Sequence, residues 1–325
     1  MSDAGLLIAL RELGLLAPHE GAETFSLTGG VSADVFGVRT EGGRALVVKR
    51  SIPRLRVKAD WRAPVDRDAL EVVWLETVRA VDARLAPKVL AYSPERHIIV
   101  MEWRDGPVWK QEMAAGRVDP AFAGEVGRDL AHIHADTAGN ADIAARFPTA
   151  DNFFALRVDP FLLYVAERHD DVAARLRLLA GDLTRRKKAL IWGDASPKNI
   201  LVGATGPVFL DAETATIGDP AFDVAFCLTH LLLKTIWLPT YAGQVMASFE
   251  ALRDAYLAAF PADAEFSSRT ADLIGALLLA RVDGKSPAGY LDAAQDDVVR
   301  RRAKAILARE NLDLANLPAV WRGFG

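Results

Sequence analysis

The most restrictive stretch of the sequence is residues 191–202, IWGDASPKNILV. An apolar run enters a polar turn and a second apolar run leaves it, with Asp194 and Asn199 on the turn. A third run, PVFLDAE, carries Asp211, 17 residues after Asp194. Two short strands joined in this way can pair and bring the turn and Asp211 together. The result is a carboxylate, an amide oxygen and a second carboxylate in one cleft. Hard oxygen donors with open positions suit Mg²⁺ bound along with substrate phosphates. A free carboxylate beside that metal can accept the proton of an attacking hydroxyl. Asp and Asn on a turn are otherwise ordinary turn formers, so the reading depends on what else the chain supplies.

The 325 residues suffice for one large domain or two lobes with real cores. Apolar residues at 51% and charged residues at 25% fit a soluble globular protein. A formal net charge of −4 gives no reason to expect a nucleic-acid partner. The single cysteine, Cys227, can form no internal disulfide, which fits a reducing, cytoplasmic setting. The segment MSDAGLLIALRELGLL lacks a basic region and a cleavage site, and reads as an amphipathic helix rather than a signal peptide. The most apolar run, AFDVAFCLTHLLLK, is short and contains Asp223 and His230. It reads as a buried helix, so no membrane partner is expected.

Two regimes follow one another. Residues 24–105 are rich in short apolar or alternating runs broken by Gly pairs at 29–30 and 42–43. One helical stretch interrupts them, with Leu70, Val73, Trp74 and Val78 at helical spacing. From about residue 106 the chain is mainly helical. Asp119 and Pro120 mark one helix start, and Phe122, Val126, Leu130 and Ile133 form its apolar stripe. Residues 160–188 and several segments of 220–315 read as further helices. The expected class is α+β, with a small antiparallel-sheet N-terminal lobe at 1–105 and a larger helical lobe at 106–325.

The strand-rich half offers a phosphate clamp. LTGGVSADVFGV is a Gly-containing turn between strands, and ALVVKR places Lys49 inside a strand. Glu71 on the following helix can pair with Lys49 and hold it against phosphates; Glu76 is the alternative partner.

These residues together resemble the aminoglycoside phosphotransferase, choline kinase and methylthioribose kinase family, small-molecule kinases of protein-kinase-like fold. The resemblance covers roughly residues 25–235. The family's catalytic loop reads His-Gly-Asp, a few residues, then Asn; here it is Trp192-Gly193-Asp194 through Asn199. The resemblance implies Asp194 as catalytic base and Asn199 and Asp211 as magnesium ligands. It implies Lys49 and Glu71 at the phosphates, Met101-Glu102-Trp103 as the hinge holding adenine, and Asp223 bracing the catalytic loop. Arg67, four residues before Glu71, favours Glu71 over Glu76. The turn 29–37 departs from G-x-G-x-x-G, so backbone amides near Ser32 would contact the phosphates. The implied ligands are ATP and Mg²⁺, and the implied partner is a small-molecule hydroxyl acceptor. Only about ten residues separate Asp211 from the next helix, with no Ala-Pro-Glu motif, which leaves little room for a peptide platform.

Several residues keep two readings at this point. His132 and His134 point about 200° apart on a helix and cannot share one ion; His134 packs or hydrogen-bonds near the helix end. His230 reads as a satisfied core residue. Glu213 could face the metal or the acceptor, or be a solvated turn residue. Arg281 and Asp283 could line an acceptor pocket, or simply end a helix at Gly284. Arg54, Arg56, Lys58 and Arg62 could attract an anion, or form a solvated loop. Trp192 in place of His supplies packing and one N–H donor but no acceptor. Together with the turn 29–37 that departs from G-x-G-x-x-G, it leaves as the alternative function a catalytically weak pseudokinase that only binds nucleotide.

Overall fold

The fold is described from a computed structural model, which covers residues 3–27, 32–52, 56 and 67–323. A first helix, α1 (Asp3–Glu12), is followed by three strands, β1 (Ala22–Ser26), β2 (Ala33–Thr40) and β3 (Ala45–Ser51). Helix α2 (Arg67–Val81) intervenes before β4 (Val89–Ser93) and β5 (Ile98–Glu102). The strands form one antiparallel sheet in the order β1-β2-β3-β5-β4.

Alternation along the strands decides which face each residue serves. Leu46 and Val48 of β3, Val38 of β2, and Ile98 and Val100 of β5 point to one face. There they bury Leu6, Ala9 and Leu10 of α1, so the amphipathic N-terminal segment covers the back of the sheet. Val47, Ile99 and Met101 point to the other face and join Trp74, Leu75 and Val78 of α2 in the main core. Lys49, two residues after Val47, is thereby directed to the α2 side.

Beyond the sheet come α3 (Trp109–Ala114) and α4 (Pro120–Thr137). The Asp119 side chain caps α4 by accepting from the Ala121 N–H at 2.8 Å, and the expected stripe of Phe122, Val126, Leu130 and Ile133 is buried. The helix expected over 160–188 is divided. Phe154–Leu163 winds as a π-helix with Pro160 inside it, and the chain turns at 167–172 before α5 (Ala173–Arg185). Pro160 has no N–H to give, so a regular α-helical ladder cannot run through it.

The catalytic-loop region is built from short strands: β6 (Ala189–Ile191), β7 (Ile200–Gly203), β8 (Gly206–Phe209) and β9 (Thr216–Gly218). β7 pairs with β8 and β6 with β9, both antiparallel. Helices α6 (Ala221–Trp237), α7 (Ala242–Ala259), α8 (Phe266–Asp283) and α9 (Ala293–Leu307) complete the body. α6 is buried on all sides along Ala221–Thr235, as its composition implied. Among the described residues no single helix is long and apolar enough to cross a membrane; α6 and the segment after it would pass only as a pair bent by 115°.

Candidate active site

β6 delivers the chain into Trp192-Gly193-Asp194, and the turn 197–199 returns it along β7. Gly193 has φ +77°, and a Cβ there would stand 2.5 Å from Thr214 Oγ1, so both conformation and space require glycine. Asp223, fully buried at the start of α6, accepts the N–H groups of Trp192 at 2.6 Å and Gly193 at 2.7 Å. His134 Nε2 lies 3.2 Å from the same carboxylate, and His134 Nδ1 lies 2.9 Å from the Tyr256 hydroxyl. Asp223 therefore ties the loop to α4 and α7, as the resemblance implied. His134 is a link in that tie, and His132 is exposed on the opposite side of α4.

The Asp194 carboxylate sits at the centre of the loop and is 5% exposed. Its Oδ2 accepts Asn199 Nδ2 at 2.8 Å and lies 3.1 Å from Lys198 Nζ. Its Oδ1 lies 3.2 Å from Arg157 Nη2. Arg157 also donates to the Gly193 carbonyl at 2.5 Å. Asn199 gives its amide nitrogen to both the carbonyl and carboxylate of Asp194, which leaves its Oδ1 as the atom for a cation.

The β7–β8 pairing brings Asp211 to this loop. Leu210 N–H donates to the Asn199 carbonyl at 2.9 Å, and Asp211 is the next residue. Asp211 has φ +63°, the left-handed region that a non-glycine residue rarely occupies. Trp192 meets the strained residue from behind: its indole Nε1 donates to the Asp211 carbonyl at 3.1 Å. Its ring stacks on Trp74 of α2 with centroids 5.6 Å apart and lies 5.1 Å from Phe209. Trp192 thus supplies packing and one donor but no acceptor, and the N–H of the stacked Trp74 indole is buried without a partner.

Lys49 Nζ bridges Glu71 Oε2 at 2.6 Å and Asp211 Oδ1 at 2.5 Å. Burial opposes its charge, but Asp211, Glu71 and Glu213 outweigh it and raise the lysine pKa. Burial would also raise Asp211, yet Lys49, Lys198 and Arg157 hold it down at about 2. Glu71 is pushed up to about 7 by burial, against the pull of Lys49. Glu76 is exposed and pairs with Arg146 at 2.9 Å, so Glu71 is the partner of Lys49.

Arg67 was visible in sequence only as a neighbour of Glu71. It is fully buried and donates to Glu213 Oε2 at 2.7 Å, the Ser32 carbonyl at 2.6 Å and the Ile52 carbonyl at 2.8 Å. Glu213 is therefore a buried ion-pair partner, not a solvated turn residue. Ser32 is itself buried, with its carbonyl occupied by Arg67 and by the Ile52 N–H. Gly29 and Gly30 beside it lie outside the described residues, as do Arg54, Lys58 and Arg62. Arg56 is exposed and pairs with Asp34.

At the hinge, Met101 stands opposite Val47 and is 7% exposed. Glu102 is engaged locally: its N–H donates to the Lys88 carbonyl at 2.9 Å, and its carboxylate receives Arg104 at 3.1 Å. Trp103 donates its indole N–H to Asp105 and meets Phe25 edge-on at 6.0 Å. Among the described residues the main chain of Trp103 bonds to no other backbone group.

The donors present fit a hard divalent cation shared with phosphates. Asp211 keeps 26% of its side chain exposed, one residue after the backbone bond that joins Leu210 to Asn199, and among the described residues no cluster of three His, Cys, Asp or Glu forms an all-protein cage. Mg²⁺ is commonly held by one or two protein oxygens plus substrate phosphates. Sequence reasoning missed Arg157 and Lys198. Lys198 was signalled by its place in the turn; Arg157, in the irregular segment, had no periodic signal.

A small antiparallel sheet above a helical body, with these residues between them, is a protein-kinase-like fold. The sequence profile of the Phosphotransferase enzyme family matches residues 26–266, and the chain belongs to that family. It is 28% identical over 240 residues to a methylthioribose kinase of Yersinia enterocolitica (serotype O:8 / biotype 1B), a match covering 64% of this chain and 59% of that relative's length. A choline/ethanolamine kinase family protein from Mesorhizobium loti shares the fold with TM-score 0.61 and 19% identity, over 98% of this chain and 99% of that one. An amicoumacin kinase in complex with AMP-PNP, Ca²⁺ and Ami superposes with TM-score 0.61 and 15% identity, over 94% and 93% of the two chains.

Proposed function

We propose that this chain is a small-molecule kinase that transfers the γ-phosphoryl group of MgATP to a substrate hydroxyl. The observation that carries the reading is the meeting of Lys49, Glu71 and Asp211 within ion-pair distance, one residue beyond the Asn199–Leu210 contact that adjoins the Asp194 loop. Residues 1–105 form the nucleotide lobe and 106–325 the catalytic and acceptor lobe. The nucleotide lies between them, with adenine at Met101, Glu102 and Trp103 and phosphates near Ser32 and Lys49. Asn199 and Asp211 would hold Mg²⁺, which neutralises phosphate charge.

Asp194 acts as the base. Its carboxylate takes the hydroxyl proton as the hydroxyl oxygen forms a bond to the γ-phosphorus. The bond from that phosphorus to the β–γ bridging oxygen breaks, and ADP leaves with the electron pair. Glu71 keeps Lys49 in place. Arg157 and Asp223 hold the loop, so catalysis is mainly positioning and charge stabilisation. The pseudokinase alternative rested on Trp192 and on the departure of the turn 29–37 from G-x-G-x-x-G; the indole bond to Asp211 supports an intact loop at Trp192, while Gly29 and Gly30 lie outside the described residues.

The test is ADP release from MgATP over a panel of hydroxyl acceptors, with Asp194→Asn as control. Loss of the base is expected to lower turnover by about 10²–10⁴-fold while MgATP still binds. Acceptor-dependent turnover at the unmodified rate in Asp194→Asn would refute the assignment.

A further inference from the structure

The acceptor side of Asp194 carries charge that the mechanism above does not use. Lys110 lies in the first turn of α3, which is tied to the catalytic loop by the Val108–Leu201 bridge and by the Val202 N–H bond to the Pro107 carbonyl at 2.8 Å. Lys234, His230 and Trp237 come from α6, Arg281 from the end of α8, and Tyr290 from the segment after it. These segments converge. Lys110 Nζ stands 4.9 Å from the Tyr290 ring centre and 5.9 Å from that of Trp237. Lys234 Nζ stands 5.7 Å from the same Tyr290 ring.

Among the described residues none of Lys110, Lys234 and Arg281 forms an ion pair with a carboxylate. Lys234 is 1% exposed, and its nearest polar contact is the His230 carbonyl at 3.4 Å. Arg281 gives one nitrogen to Ser286, while its Nε and the Tyr290 hydroxyl are buried without a partner. The carboxylate within electrostatic reach of Arg281 is Asp194 itself. Burial, with Lys110 and Arg281 nearby, depresses Lys234 to about 7. Burial and the same cations hold His230 well below its ordinary value.

An unpaired buried charge is costly to a fold; Lys234 is one, and the partly exposed Lys110 and Arg281 add two further cations without a carboxylate partner near it, in a chain of net charge −4. Cation–π contact with Tyr290 softens this but adds no negative charge. The aromatic faces that could receive a cationic acceptor already face the chain's own ammonium groups. Lys110, Arg281, Trp237 and Tyr290 are only half-buried, so the cluster is open to a ligand.

We propose that the acceptor is an anion: a small hydroxyl compound whose carboxylate or phosphate docks on Lys110, Lys234 and Arg281 and presents its hydroxyl to Asp194. The proposal rests on the kinase reading above and deepens it. Asp283, grouped with Arg281 in the sequence reading, instead pairs with Arg300 at 2.7 Å and His169 at 3.0 Å and takes no part.

The test is calorimetric titration of the full chain saturated with MgAMP-PNP. The probes are D-glycerate against glycerol, D-gluconate against D-glucose, D-ribose 5-phosphate against D-ribose, and choline. At least one anion should bind about ten- to a hundredfold more tightly than its neutral partner. The pair that responds separates carboxylate from phosphate. Lys234→Met, which keeps the side-chain volume, and Arg281→Met should each remove most of that preference, while Arg281→Lys retains part of it. Neutral compounds or choline binding as tightly as the anions throughout would overturn the proposal. ADP release separates the two readings. An anion that binds but draws no ADP from MgATP supports the anion site and counts against the kinase reading. Transfer to a neutral or cationic acceptor alone upholds the kinase and overturns the anion.

Discussion

Lys49 and Lys234 are both buried lysines, 5% and 1% exposed, yet their surroundings are opposite. Lys49 stands between two carboxylates, and its pKa is raised. Lys234 has cations, aromatic rings, a carbonyl and the Cys227 thiol around it and, among the described residues, no carboxylate paired with it, and its pKa falls to about 7. Burial pushes both the same way, so the partners alone decide the sign. The chain satisfies its own charge at the proposed nucleotide side, where Lys49 pairs with both Glu71 and Asp211. At the Lys234 cluster, the proposed acceptor side, it leaves charge without a carboxylate partner among the described residues, as a site does whose missing partner arrives with the ligand.

The sharpest way to break this contrast is to remove each lysine in turn. Lys49→Met should leave two carboxylates facing each other, costing about 3–5 kcal/mol of stability in urea titration. It should also lower turnover by about 10²–10³-fold through loss of a phosphate donor. Lys234→Met should do the reverse to the empty protein. It removes an unpaired buried charge, so the apoprotein should gain about 1 kcal/mol or more. A Lys234 variant as destabilised as the Lys49 variant would mean that Lys234 has a partner after all.

A pH series sharpens the same contrast. Lys234 lies at about 7 in the fold against an ordinary 10.5. Between those values the unfolded chain holds the extra proton, so this residue's contribution to stability rises with pH across that window. The melting-temperature gap between Lys234→Met and wild type should therefore be widest below pH 7 and close toward pH 10. Lys49, with its pKa raised, contributes fully below its ordinary value, so its effect should stay flat over the same range. A constant Lys234 gap would contradict the assigned charge state.

The smallest expected effect concerns the loop between the two regions. Trp192→Phe keeps a ring against Trp74 and Phe209 but removes the donor to the Asp211 carbonyl. We expect a loss of about 0.5–1.5 kcal/mol, read by thermal melting, and a correspondingly mild fall in turnover. An unchanged melting point would show that the indole only fills space.

Of the candidate site, the turn of Asp194 and Asn199 with nearby Asp211 was legible because it is local, whereas Lys49 meets Asp211 across 162 residues and was joined to it only through the family resemblance. Lys49 was placed within a strand and Glu71 on the helix after it, with Arg67 and the family resemblance favouring Glu71 over Glu76, and a turn between paired short strands gathered Asp194, Asn199 and Asp211. The acceptor side was not legible. Lys110, Lys234, Arg281 and Tyr290 come from α3, α6, α8 and the segment beyond, and no periodicity links helices that meet only through packing. His230 read as a satisfied core residue because its helix is apolar; of the cations around it, Lys234 is on the same helix, while Arg281, Lys198 and Lys110 come from elsewhere in the chain. Arg157 escaped for a related reason, since it projects from the π-helical segment around Pro160. Arg67 and Glu213 were each visible, but 146 residues separate the partners of their bond.

The most direct single measurement is calorimetric titration of MgATP into wild type, Lys49→Met and Lys234→Met. If Lys49 serves the nucleotide and Lys234 the acceptor, Lys49→Met weakens binding by about tenfold or more, while Lys234→Met leaves it unchanged. Undiminished MgATP affinity in Lys49→Met, or a loss confined to Lys234→Met, would contradict the division of the site on which the account rests.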